Sequence, residues 1–160
     1  VSIGVHLLSV LAIPSIALFY YYKKSDKPSF KGFLIASVLG LISLIVIQKG
    51  VIVGLPILWS KFELFTVNSL GLPIHSGLIP LLLLLIAGFY FGLRYAWNHK
   101  KYVIESALLA LMLVIIGYST IMVVVIRAGA EPPINMNDPD NVFALIPYIN
   151  REQYGERPPV

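Results

Sequence analysis

Long apolar runs alternate along this chain with short polar clusters. Runs of about 20 apolar residues match the hydrocarbon core of a bilayer. The pattern predicts an all-α integral membrane protein with four transmembrane helices at about 1–22, 32–48, 78–93 and 102–126. An interfacial segment and a short amphipathic tail helix complete it. Residues 1–126 form the transmembrane region and 127–160 a polar tail.

Each span carries local signals. Pro14 lies inside the first and predicts a kink, since proline removes a helix donor and clashes with the preceding turn. Phe19, Tyr20, Tyr21 and Tyr22 close that span with aromatics, as expected at the headgroups. One helix running on past Gln48 would have to bury Lys49, so the second span is expected to end at Gln48–Gly50. Gly54 and Pro56 favour a break there, with 51–59 at the interface or re-entering. In 60–77, Phe62, Leu64, Phe65 and Val67 are interspersed with polar residues, which predicts a short amphipathic piece on the membrane surface. In the tail, Asp138 is expected to cap a helix with Pro139 at its first position. Val142, Phe143, Ile146 and Ile149 recur at helical spacing, Pro147 predicts a kink and Gly155 a stop. That helix is expected to rest on the bilayer.

Composition agrees. Of 160 residues 58% are hydrophobic and 12% charged, against roughly 25% charged in ordinary soluble domains. The absence of cysteine excludes disulfides, thiol catalysis and a cysteine metal site. The net charge of +4 sits in clusters between spans and in no basic groove, so it reads as topology and argues against nucleic acid as a partner. Lys23, Lys24, Lys27, Lys31, Arg94, Lys100 and Lys101 fill the first and third connections, which the positive-inside rule places in the cytoplasm. The 59–75 segment and the tail then lie outside. No basic n-region precedes the first span, so it does not read as a signal peptide. The first residue is Val1 and the last are Pro158, Pro159 and Val160, so the rest of a longer polypeptide is expected around this chain.

Candidate chemistry is sparse. Lys49, near lipid, is a candidate for binding a charged group, although snorkelling to the headgroups explains it more simply. Glu63, Asn68 and His75 share one external segment and could bind a polar substrate, against the plainer reading of a solvated loop. Arg151, Glu152 and Tyr154 could contact an anionic group, since arginine pairs well with phosphate. Glu105 sits in the first turn of the fourth span, where it meets the positive end of the helix dipole. Tyr118, Ser119 and Thr120 are expected to bond to neighbouring helices. Three histidines far apart in sequence do not suggest a metal site, and no cofactor motif is evident.

Two stretches carry a resemblance. One is Lys61-Phe62-Glu63-Leu64-Phe65-Thr66-Val67-Asn68-Ser69-Leu70-Gly71-Leu72-Pro73 with Ser76-Gly77. The other runs from Glu131-Pro132-Pro133-Ile134-Asn135 to Asn150-Arg151-Glu152-Gln153-Tyr154-Gly155-Glu156-Arg157-Pro158. Both resemble a bacterial family of large multi-pass membrane proteins related to protein O-mannosyltransferases and placed with the GT-C glycosyltransferases. The resemblance implies a membrane enzyme of the bacterial inner membrane. It would move a sugar from a polyprenyl-phosphate carrier to an acceptor on the outer side. In that class the catalytic carboxylate lies in the first external loop, which has no counterpart here, so no catalytic residue is transferred. Lys49, Glu63, Asn68, His75, Arg151, Glu152 and Tyr154 remain substrate-binding candidates, and the expected partners are membrane lipid and a polyprenyl-phosphate sugar. The alternative is a non-catalytic membrane scaffold or a transport-related subunit, with the 48–56 region as its broken helix.

Overall fold

A computed structural model describes residues 7–135, 137–152 and 155. All its regular elements are helical. A 3₁₀ turn, Leu7–Leu11, leads into α1, Ala12–Lys24, and α2 is Phe30–Ile45. A π-helical segment, Val46–Val53, joins α2 to α3, Gly54–Leu70. Then come α4, Leu78–Asn98, and α5, Tyr102–Tyr118. A 3₁₀ turn, Ser119–Ile121, connects α5 to α6, Met122–Ala128, and α7 is Val142–Asn150. Three helical stretches are long and apolar enough to cross a membrane: Phe30–Leu70, Leu78–Asn98 and Tyr102–Ala128. The expected first span is represented by the 13 residues of α1 and the turn before it. Part of its range, 1–6, lies outside the described residues. Pro14 sits in the first turn of α1, where a missing N–H has no intrahelical partner to lose.

The expected break at Gln48–Gly50 does not occur. The helix runs on through Gln48, Lys49 and Gly50 by widening into π geometry, and 51–70 continues it as helix. The chain thus avoids burying Lys49 without ending the helix, because Lys49 and Gly50 point outward and are exposed. At about 1.5 Å per residue the 41-residue stretch is roughly twice the ~30 Å of a hydrocarbon core. It therefore cannot lie wholly across the core. Lys49, near its middle, is a group that favours the headgroup level.

Pro56 accounts for the chemistry of this passage. In an α-helix the Ile52 carbonyl would accept from the N–H of residue 56, and proline has none. Tyr118 supplies the missing donor: its hydroxyl donates to the Ile52 carbonyl at 2.8 Å in a buried site. The core gathers around this contact. Val51, Ile52, Trp59, Leu81, Tyr118, Ile121, Val125, Val142, Leu145 and Ile149 form one buried cluster with Val10.

Outside that cluster lies the α1–α2 hairpin. Tyr21 ties its turn together: its hydroxyl accepts from the Ser29 N–H at 2.8 Å and donates to the Ser29 carbonyl at 3.1 Å. Ser29 also caps α2, accepting from Gly32 N–H. The helices approach closely at Gly40, where a Cβ would stand 2.9 Å from Pro14 Cα. Close backbone approach through small residues is how membrane helices gain packing energy.

The tail departs from expectation in three respects. The cap of α7 is Asn141, whose Oδ1 accepts from Phe143 and Ala144 N–H at 2.9 and 3.1 Å. Asp138 instead has φ +38° and accepts from Asn135 Nδ2. The helix ends at Asn150 with Arg151 in the left-handed conformation, ahead of Gly155. Its apolar face, Val142, Leu145 and Ile149, is buried against α3 and the π segment rather than on a bilayer, while Phe143 is exposed.

Tyr118→Phe is expected to destabilise the fold by about 1 kcal/mol, the scale of an interhelical hydrogen bond. In a Pro56→Ala background, residue 56 can donate to the Ile52 carbonyl itself, so the same substitution should cost less. Denaturant titration in detergent, followed by tryptophan fluorescence, checks both. Equal costs in the two backgrounds would contradict the assignment.

Candidate functional site

The segment after α3 is built around one carboxylate. Gly71, in the left-handed conformation at φ +66°, ends α3 and turns the chain back. The loop that follows returns past Glu63, which is 2% exposed. Glu63 Oε2 accepts from Trp59 Nε1 at 3.1 Å and from Gly77 N–H at 2.9 Å, and Oε1 accepts from His75 N–H. Trp59 lies one helical turn before Glu63, so these side chains share a face of α3. Gly77 is the N-cap of α4, and a negative charge there meets unpaired N–H groups and the positive end of the helix dipole.

Two further contacts close the loop. Ser76 Oγ donates to Thr66 Oγ1 at 2.9 Å, and Thr66 Oγ1 donates to the Glu63 carbonyl at 3.2 Å. The Trp59 and His75 rings stand 6.3 Å apart. Gly77 rests on the Glu63 backbone so closely that any Cβ would collide with Glu63 N and Cα. Three donors on two carboxylate oxygens give Glu63 a structural task, which is to hold the 71–77 loop on α3.

Beside this lock lies a groove of about 350 Å³ lined by Glu63, Leu64, Val67, Asn68, Ile74, Asn141 and Phe143. Its walls come from α3, the returning loop and the start of α7. Residues of 63–74 are thus brought together with Asn141 and Phe143 of the tail. The Asn141 amide is already committed: Oδ1 caps α7 and Nδ2 donates to Asp140 Oδ1 at 2.6 Å. Asn68 is exposed, and its amide makes no hydrogen bond among the described residues. The groove therefore offers one open amide, an exposed aromatic face at Phe143 and an apolar wall. Amides bind hydroxyl-rich molecules and aromatic faces bind their apolar faces.

The other candidates lie elsewhere. Lys49 is exposed on the π segment. Arg151 and Glu152 are exposed beyond the end of α7, where Glu152 Oε1 accepts from Asn150 Nδ2 at 3.1 Å. Tyr154 lies outside the described residues. His75, with φ +74°, joins the site through its backbone N–H. No group of acidic, histidine or cysteine residues among the described residues could hold a metal ion.

Sequence reasoning missed Trp59, Thr66, Ser76, Gly77, Ile74, Asn141 and Phe143 as members of this region. The i, i+4 pair of Trp59 and Glu63 was a usable signal. So was Asn141 immediately before the apolar run 142–146, an N-cap pattern stronger than that of Asp138. No protein-family model, curated protein or solved structure matches this chain.

Glu63→Gln places an amide NH₂ where a carboxylate oxygen now accepts, leaving a backbone or indole donor unmatched. The expected loss is about 1.5–3 kcal/mol, the range for hydrogen bonds to a charged group. Thermal unfolding in detergent checks it; wild-type stability in the variant would show that the carboxylate does not hold the loop.

Proposed function

We propose that this chain is part of a GT-C-like membrane glycosyltransferase, with the groove beside Glu63 receiving the sugar portion of a polyprenyl-phosphate-linked donor or of an acceptor. The observation that carries this reading is the meeting of 63–74 with the tail in one groove, at an open Asn68 amide beside Phe143. In such a transfer an acceptor hydroxyl attacks the anomeric carbon and gives its proton to a catalytic carboxylate, which the GT-C class carries in its first external loop. The bond from that carbon to the phosphate oxygen breaks, and the carrier phosphate leaves with its charge. Lys49 precedes Asn68 by 19 helical residues, about 28 Å along the axis, so it is given no role at that phosphate; Arg151, just beyond α7, is the cation that would offset the charge as it develops. Glu63 is given no part in the chemistry, because its oxygens already accept from Trp59, His75 and Gly77. The groove and the tail are placed on the outer side of a bacterial inner membrane, following the lysines of the α1–α2 turn.

In the full-length protein, Asn68→Ala should lower sugar transfer in membrane vesicles roughly 5-fold, the worth of about one hydrogen bond, with protein levels unchanged. Unaltered transfer would remove the groove from the reaction. Absence of any transfer by the intact protein would instead favour a scaffold or transport-related subunit.

Orientation is separately testable, because the chain has no native cysteine to interfere. Ala130→Cys should react with a membrane-impermeant maleimide on intact cells and Lys27→Cys only after permeabilisation. The opposite pattern would invert the topology.

A further inference from the structure

Another cavity lies in the α1–α2 hairpin. It is an open cleft of about 470 Å³ whose lining includes Ala17, Tyr20, Lys24, Gly32, Ala36 and Leu39. Small side chains create it. Ala17 on α1 faces Gly40 on α2, and Gly32, Ala36 and Gly40 follow one another at four-residue intervals along α2. The cleft floor is therefore apolar and narrow, while its walls are exposed apolar residues such as Ile35 and Leu39 at 52% and 57%. From Gly32 to Leu39 the helix rises about 10 Å, enough for the upper part of one extended hydrocarbon chain.

The polar end of the cleft is cationic. Lys24 stands at its rim with its ammonium 5.8 Å above the Tyr20 ring. Lys23, Lys27 and Lys31 crowd the same turn against a single acidic residue, Asp26. An apolar cleft that opens at a cluster of lysines matches a molecule with a hydrocarbon chain at one end and net negative charge at the other. A zwitterionic lipid satisfies the first condition only. Basic pockets between membrane helices recognise anionic headgroups on this principle.

We propose that the α1–α2 cleft holds one anionic phospholipid, with an acyl chain against Ala17, Ala36 and Leu39 and its phosphate at Lys24. The lipid completes the packing of a hairpin whose helices meet through small residues and the Tyr21–Ser29 clamp. This reading is independent of the transferase proposal, since it involves neither the groove nor the tail.

Native mass spectrometry of the full chain in mild detergent tests it, with dioleoyl phosphatidylglycerol and dioleoyl phosphatidylcholine at equal concentration. One phosphatidylglycerol should stay bound per chain and phosphatidylcholine should not. Lys24→Gln should reduce its retention roughly 5-fold. Leu39→Trp, which fills the cleft from an exposed position, should abolish retention with helix content unchanged by circular dichroism. Equal retention of the two lipids, displacement by glycerol phosphate alone, or retention unaffected by Lys24→Gln would each overturn the proposal.

Discussion

A helix that meets a proline loses a backbone donor, and where no water can reach the orphaned carbonyl some other group must supply the proton. In this protein the orphan is the Ile52 carbonyl, four residues before Pro56, and the donor is the Tyr118 hydroxyl at 2.8 Å. An unsatisfied buried carbonyl would cost on the order of 1–3 kcal/mol. Because it is satisfied, the helix need not end: it widens through Val46–Val53 and continues to Leu70. That continuity joins the hairpin of α1 and α2 to the cluster of α3, α4, α5 and α7. It also places Lys49 on an outward-facing turn.

The second organising element follows from the first. Once α3 continues the helix, Trp59 and Glu63 share its inner face, and the chain after Gly71 folds back onto them. Glu63 then anchors the loop and the N-terminus of α4 through backbone N–H groups. The carboxylate thereby fastens the loop to α3. The groove beside it presents Asn68, with an unengaged amide, and Phe143 from the tail. The tail helix reaches that position because Val142, Leu145 and Ile149 bury against α3 and the π segment.

The two halves of the molecule use different chemistry for different contacts. The α1–α2 hairpin touches through small residues and a tyrosine clamp, which suits lipid surroundings where apolar burial adds little. The cluster around Ile52 uses large apolar side chains with a few fully matched polar groups. No buried side-chain polar atom lacks a partner among the described residues. That is the condition for polar groups to strengthen a core and not weaken it.

Much of this was legible in the sequence, for a reason of scale. Membrane-spanning character is the sum of many apolar residues, so the stretches within Leu78–Asn98 and Tyr102–Ala128 stand out without any tertiary information. The helix dipole is equally local, which is why Glu105 falls in the first turn of α5 as read. What the sequence left open were choices between two local solutions of similar cost. Gln48–Gly50 with Pro56 could end a helix or widen it, and a tyrosine 66 residues away decides. Asp138 and Asn141 could each cap the tail helix. The burial of Val142 and Leu145 against α3 favours the later start. Glu63 holds the loop, and nothing in its own neighbourhood of sequence shows that His75 and Gly77 return their N–H groups to its oxygens. Composition and periodicity determined that the chain belongs in a membrane as helices. Only the tertiary structure decided where those helices continue, because the missing hydrogen-bond partners come from distant parts of the chain.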